Sequence, residues 1–284
     1  MRPNVAGALT AAPESLAKWL SAFDVRSVPV LESSACAIEE LRAQEDGVDA
    51  HQLADRLGAD PLLTVKVLSL VAELPGRRGR SDQMGEPRTL LAALLLLGIR
   101  PFFRAFGRQA AVEALLASDP EALAGFRHVL RRANRAADFA LAFAVHRMDP
   151  DAGIIRSATL LHEFAELLLW CRAPALAVEM ERRRVRDPTT PSCELERAVL
   201  NIDLVELRRG LMSAWQLPTM LTQIADDRHV DAAQVRNVWL AVRLARHSAR
   251  GWEDPAIPDD VSEIATLLQL GVAPTWQLLR QVDG

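Results

Sequence analysis

Two Asp-Pro steps stand at the head of helix-favouring runs, "DPLLTVKVLSLVAEL" from Asp60 and "DPEA" from Asp119. An aspartate carboxylate accepts the unpaired N–H groups of a helix start. A proline at the first helical position has no N–H to lose and a φ already set for the helix. Beyond Asp60-Pro61, Leu62, Val65, Leu68 and Ala72 recur at spacings of three and four, which gives one apolar helical face. Similar punctuation recurs along the chain. Asp49 precedes "AHQLADRL", which Gly58 closes; Thr89 precedes "LLAALLLLG", with Gly98 near its end; Pro13 sits near the first turn of "PESLAKWLSAF". Period-2 alternation is scarce, tyrosine is absent, and Ala, Leu, Arg and Glu dominate. The chain therefore reads as all-α.

The remaining pattern extends this reading. "VPVLESSACAIEELRAQ", "LLAALLLLGIRPFF" and "IIRSATLLHEFAELLLWCR" each read as one helix. Residues 100–127 read as amphipathic helix broken at "SDPEA", residues 126–147 as one long helix, and "LERAVLNIDLVELRRGLMSAWQLP" as a helix ending before Pro218. "PTMLTQIADDRH", "DAAQVRNVWLAVRLARHSARG" and "DDVSEIATLLQLG" complete the series. "PGRRGRSDQMGEPR" at 75–88 and "RDPTTPSCELE" at 186–196 read as loops, and no repeat of solenoid period occurs.

Composition excludes several classes. Of 284 residues 50% are apolar, which is globular. A net charge of -4 argues against nucleic-acid binding driven by overall charge. Only Lys18 and Lys66 are lysines; the arginine bias suits carboxylate or phosphate contacts, and a GC-rich genome produces the same bias. Cys36, Cys171 and Cys193 form no CxxC pair and no disulfide framework, which fits a reducing cytoplasm. The N-terminus has no sustained apolar run, and "LLAALLLLGI" is about half the length a bilayer needs, so neither a secretory signal nor a membrane span is expected.

In order along the chain, "VPVLESSACAIEEL", "LADRLGADPLLTVKVLSLV", "LLAALLLLGIRPFF" and "LLHEFAELLL" followed by "LMSAWQLPTMLTQIADDRH" resemble the HDOD family. These are bacterial all-helical modules related to the HD metal-dependent phosphohydrolases. The resemblance covers roughly residues 25–275. It implies a multi-helix HD-like bundle with an N-terminal helical subdomain, divided as an extension at 1–24, an N-terminal helical part at 25–118 and an HD-like core at 119–284. An Ala72-Glu73 pair stands where the family often has Asn-Ser.

The adjacent pair His162-Glu163 decides the functional class. HD hydrolases place a helical His directly before an Asp and add further His and Asp ligands, so that one or two divalent ions activate water and polarise a phosphoryl group. Residue by residue, His128 matches the first helical His and His162 the His of the pair, but Glu163 replaces Asp. The extra methylene displaces the carboxylate by about 1.5 Å, against a tolerance of roughly 0.2 Å for metal–ligand distances. A later His position falls at Leu204, which cannot coordinate; His229 remains in "DDRH"; the closing Asp position falls near Arg246, whose charge repels a cation. His128, His162, Glu163 and His229 thus form a vestigial set. His162 and Glu166, at i and i+4, offer a metal bridge as an alternative. Otherwise His162 is a core histidine, with Glu163 solvated or paired to an arginine.

The resemblance implies no catalytic residue, no metal and no cofactor, and a cytoplasmic regulatory module that binds a protein partner in a signalling pathway. Two alternatives stand beside it: a divergent HD phosphohydrolase acting on a nucleotide or phosphodiester, and a cyclic-nucleotide sensor binding at arginine-rich surface. Arginine clusters occur in "ERRRVRD" at 181–187, in the stripe Arg127, Arg131 and Arg135, and in "GRRGR" at 76–80, the last without interleaved aromatics. The first also reads as a solvated helix end whose cations complement the helix dipole. Trp170, Trp215, Trp239, Trp252 and Trp276 read as core or interface anchors.

Overall fold

The computed structural model describes residues 7–74, 85–226 and 231–283. In chain order the helices are α1 (Leu16–Ala22), α2 (Glu32–Arg42), α3 (Ala50–Leu57), α4 (Pro61–Ala72), α5 (Leu90–Leu97), α6 (Ile99–Ala105), α7 (Val112–Leu115) and α8 (Pro120–His146). There follow α9 (Ala152–Leu160), α10 (Phe164–Arg172), α11 (Pro174–Arg186), α12 (Ser192–Leu200) and α13 (Leu204–Ala214). The last are α14 (Thr219–Ile224), α15 (Ala233–His247), α16 (Ile257–Leu268) and α17 (Val272–Asp283). The only extended pairing among the described residues is a bridge between Val30 and Ala111. No helix among them is long and apolar enough to cross a membrane.

Two compact units are formed. The first takes residues 1–129 and 164–218, the second residues 130–163 and 219–284. In the first, α4 is the central helix. Asp60 is 1% exposed, and its carboxylate accepts from the N–H groups of Leu62 (2.9 Å), Leu63 (3.0 Å) and Leu31 (2.8 Å). One carboxylate therefore starts α4 and fixes the chain entering α2. Burial pushes this carboxyl up, against those three N–H groups and Ser34, which favour its ionised form. The face expected on α4 is wider than the spacing indicates: Leu63 and Val67 are buried as fully as Leu62 and Leu68, because α5 and α10 both pack on the helix. Where α8 meets α10, Gly125 faces Trp170 so closely that a Cβ there would lie 2.3 Å from the indole ring.

The expected caps at Asp49, with Gln52 completing a capping box, and at Thr89 and Asp119 all form. Several helices expected to be continuous are divided. α1 starts at Leu16 on a Ser15 cap rather than at Pro13, and α2 starts at Glu32, since Val28–Leu31 is extended and Val30 bonds Ala110 and Val112. Gly98, at φ 81, separates α5 from α6. Asn201, left-handed at φ 64, and the Asp203 cap separate α12 from α13. In the other direction, α8 runs unbroken from Pro120 to His146.

Lys66 lies on α4 at 9% exposure, its Nζ donating to Val28 O and Gln109 Oε1, both at 2.7 Å. Burial lowers this amine to about 8, against the attraction of Asp60 and Asp24. Buried Cys171 shifts the other way, its thiol pushed up by burial and by the charges of Asp60 and Glu113. Between about pH 8 and 10.4 the unfolded chain holds a proton at Lys66 that the fold does not, so this group makes stability rise with pH. Above about pH 8.5 the unfolded chain has lost a thiol proton that folded Cys171 keeps, so that group makes stability fall. The two oppose each other in the wild type. Urea unfolding of Cys171→Ala should show stability rising from pH 8 to 10, and that of Lys66→Met should show it falling.

Candidate functional site: an arginine-clamped carboxylate

The helix expected through "ATLLHEFAELLLW" is interrupted at the two residues that matter. α9 ends at Leu160, Leu161–Glu163 form a single 3-10 turn, and α10 begins at Phe164. His162 and Glu163 are 6% and 3% exposed. The i, i+4 register that would pair His162 with Glu166 is broken by this turn; Glu166 lies on α10 in the first unit, 3.7 Å from Arg184 Nη1.

Glu163 is held from both sides within the second unit. Arg132 Nη2, from α8, donates to Oε2 at 2.6 Å. Arg246, from α15, donates to Oε1 through Nη2 at 2.8 Å and Nε at 3.1 Å. His162 Nδ1 lies 3.7 Å from Oε1. The Glu163 side chain is 2% exposed, Arg132 9% and Arg246 51%. Burial alone would raise this carboxyl; Arg132, Arg246 and His162 together reverse the effect and hold it well below the usual carboxylate range. It is an ionised, doubly clamped Arg–Glu–Arg triad.

This donor set does not fit a divalent metal. Such an ion needs free carboxylate lone pairs, and both Glu163 oxygens already accept from guanidinium groups. Two fixed positive charges beside them repel a third. Of the other family positions, Leu204 opens α13 without a donor atom, and His128 is half-buried on the part of α8 that belongs to the first unit. His229 lies outside the described residues. No group of three or more His, Cys, Asp or Glu among the described residues is arranged to hold a metal.

The arginine clusters are also largely engaged. Arg182 bonds Glu121 at 2.7 and 3.0 Å, Arg183 bonds Glu179 and Arg184 bonds Glu181, each at 2.7 Å, at the C-terminal end of α11. In the stripe on α8, Arg127 and Arg131 are exposed, whereas Arg135 bonds Asp283 and Ser248 O and stacks over Phe139 and Trp252. "GRRGR" lies outside the described residues. Trp170 and Trp215 are core residues at 2% and 7% exposure; Trp239, Trp252 and Trp276 are partly exposed and carry arginines on their faces.

The residue that sequence reasoning missed is Arg132. It stands beside the Arg127–Arg131–Arg135 stripe, and nothing local marks it as the partner of a carboxylate 31 positions away.

The HDOD domain model matches residues 28–230. The chain belongs to the HDOD family. Its all-α fold is shared with solved structures at low identity. One is the MmoQ response regulator of Methylococcus capsulatus str. Bath, 20% identical over 89% of this chain and 97% of that one, with a TM-score of 0.67. Another is a virulence factor of Campylobacter jejuni subsp. jejuni, 16% identical over 94% and 98%, with a TM-score of 0.64. No curated protein matches the chain. The HDOD match stops at residue 230, so α15, α16 and α17 lie beyond it.

Proposed function

We propose that this HDOD chain is a non-catalytic, cytoplasmic regulatory module that acts by binding a protein partner in a signalling pathway. The observation that supports this reading is the state of Glu163. At the position where an HD hydrolase presents a metal-binding carboxylate, this chain presents one closed off by Arg132 and Arg246. With Leu204 and Arg246 in place of ligands, the hydrolytic alternative is left with too few electron-pair donors. The work then falls to the helical surface. That a fold relative is a response regulator agrees with a signalling role. The nucleotide-sensing alternative is weakened because Arg135, the third member of the stripe, is engaged within the fold.

Elemental analysis after incubation with Mn²⁺ or Fe²⁺ and gel filtration tests the reading. The expected result is no stoichiometric metal, and no difference between wild type and His162→Ala. One tightly held equivalent that is lost in His162→Ala would sink it.

A further inference from the structure

The second unit contains a histidine–carboxylate pair that takes no part in the Glu163 triad and lies beyond the HDOD match. Asp260, in the first turn of α16, is 1% exposed. Its Oδ2 lies 2.6 Å from His247 Nδ1, at the end of α15. Its Oδ1 lies 2.6 Å from Arg243 Nε, and Arg243 continues to Glu263 Oε1 at 2.7 Å while stacking 4.2 Å over Trp239. The carboxylate is thus fixed at both oxygens. A carboxylate against Nδ1 selects the tautomer with the proton on Nδ1 and leaves the lone pair on Nε2. The His247 side chain is 34% exposed. Arg243 stands four residues before it on α15, one helical turn away.

We propose that His247 Nε2 is a phosphoryl acceptor, a modification site that takes phosphate from an acyl-phosphate or N-phosphoryl donor. Its use as a signal rests on the regulatory reading above; the labelling reaction does not. With phosphoramidate as donor, Nε2 gives its electron pair to phosphorus and the P–N bond breaks. Ammonia, already carrying its protons, leaves with the electron pair of the broken P–N bond. The positive charge that develops on the ring is met by Asp260 through the Nδ1 proton, which is why this histidine should outrun others.

The chain has six histidines, and His51 on α3 and His146 at the end of α8 are exposed internal controls. The full chain is incubated with phosphoramidate in mildly alkaline buffer and followed by phosphorus NMR and by tandem mass spectrometry without acid. His247 should acquire an acid-labile phosphoryl group at least roughly tenfold faster than His51 or His146. In folded Asp260→Asn its rate should drop to theirs. Equal labelling of the three histidines overturns the proposal, as does an unchanged His247 rate in folded Asp260→Asn. Should that variant not fold, the wild-type rate ratio decides alone. None of these outcomes depends on metal content, so the result stands apart from the metal titration.

Discussion

Glu163→Ala should destabilise the second unit by about 3–5 kcal/mol, read as a lower urea midpoint by circular dichroism. The loss comes chiefly through Arg132. With its carboxylate gone, a guanidinium whose side chain is 9% exposed stays buried without its counter-charge, whereas Arg246, half exposed, turns to water. A paired variant separates this from simple loss of packing. Arg132→Met combined with Glu163→Leu removes both charges and should recover most of the stability, because an apolar pair of similar volume costs little where an orphaned charge costs much. If Glu163→Ala unfolds at the wild-type midpoint, the triad contributes nothing. The sign of the pH effect follows from the lowered carboxyl. Its contribution is complete above the unfolded value of about 4.3 and declines only as pH falls toward the lower folded value. The wild type should therefore lose stability below pH 4 more steeply than the double variant.

Trp19→Ala should cost the first unit about 3–5 kcal/mol. Trp19 is 0% exposed, stacks with Phe23 at 6.1 Å and donates from Nε1 to Leu200 O at 2.9 Å. It anchors α1 on α13, where Leu16 and Leu20 press against Gly210. Arg172 fastens the same segment, accepting from Leu9 N at 2.8 Å and donating to Ala22 O at 3.1 Å. Trp19→Phe keeps much of the packing but leaves the buried carbonyl of Leu200 without that donor, and should cost about 1–3 kcal/mol. Thermal unfolding of the two variants, ranked Ala below Phe below wild type, checks both terms. Equal midpoints for all three would mean that residues 7–24 are not integral to the unit.

The caps were legible in the sequence because cap and capped N–H lie within three residues. Asp49, Asp60, Thr89 and Asp119 each act locally, and each occurs where expected. The breaks were not legible, because helix-favouring residues run straight through them. Gly98 stands near the expected end of its helix, where α5 does close, but nothing in "LERAVLNIDLVELRR" sets Asn201 apart as an interruption until the backbone takes positive φ there. The 3-10 turn at His162-Glu163 is of the same kind, since the register changes without a change of composition. At the site, the replacement of Asp by Glu and the cation at Arg246 were visible, and so was the choice between solvation and an arginine partner for Glu163. That there are two arginines, and that one is Arg132, depends on how α8 and α15 pack around the turn. Long-range packing of this sort has no signature in a single sequence. His247 and Asp260 escaped notice for the same reason, being ordinary residues on successive helices until packing brings them to 2.6 Å.

The sealing of Lys66 inside the first unit has a practical consequence. Of the chain's two lysines, only Lys18 offers its amine to solvent, with a side chain 60% exposed on α1. An acylating dye or an aldehyde-coated surface will therefore find one lysine on the folded molecule, beside the tryptophan that pins α1 down. Sudden reactivity at the second lysine would report that the first unit has opened.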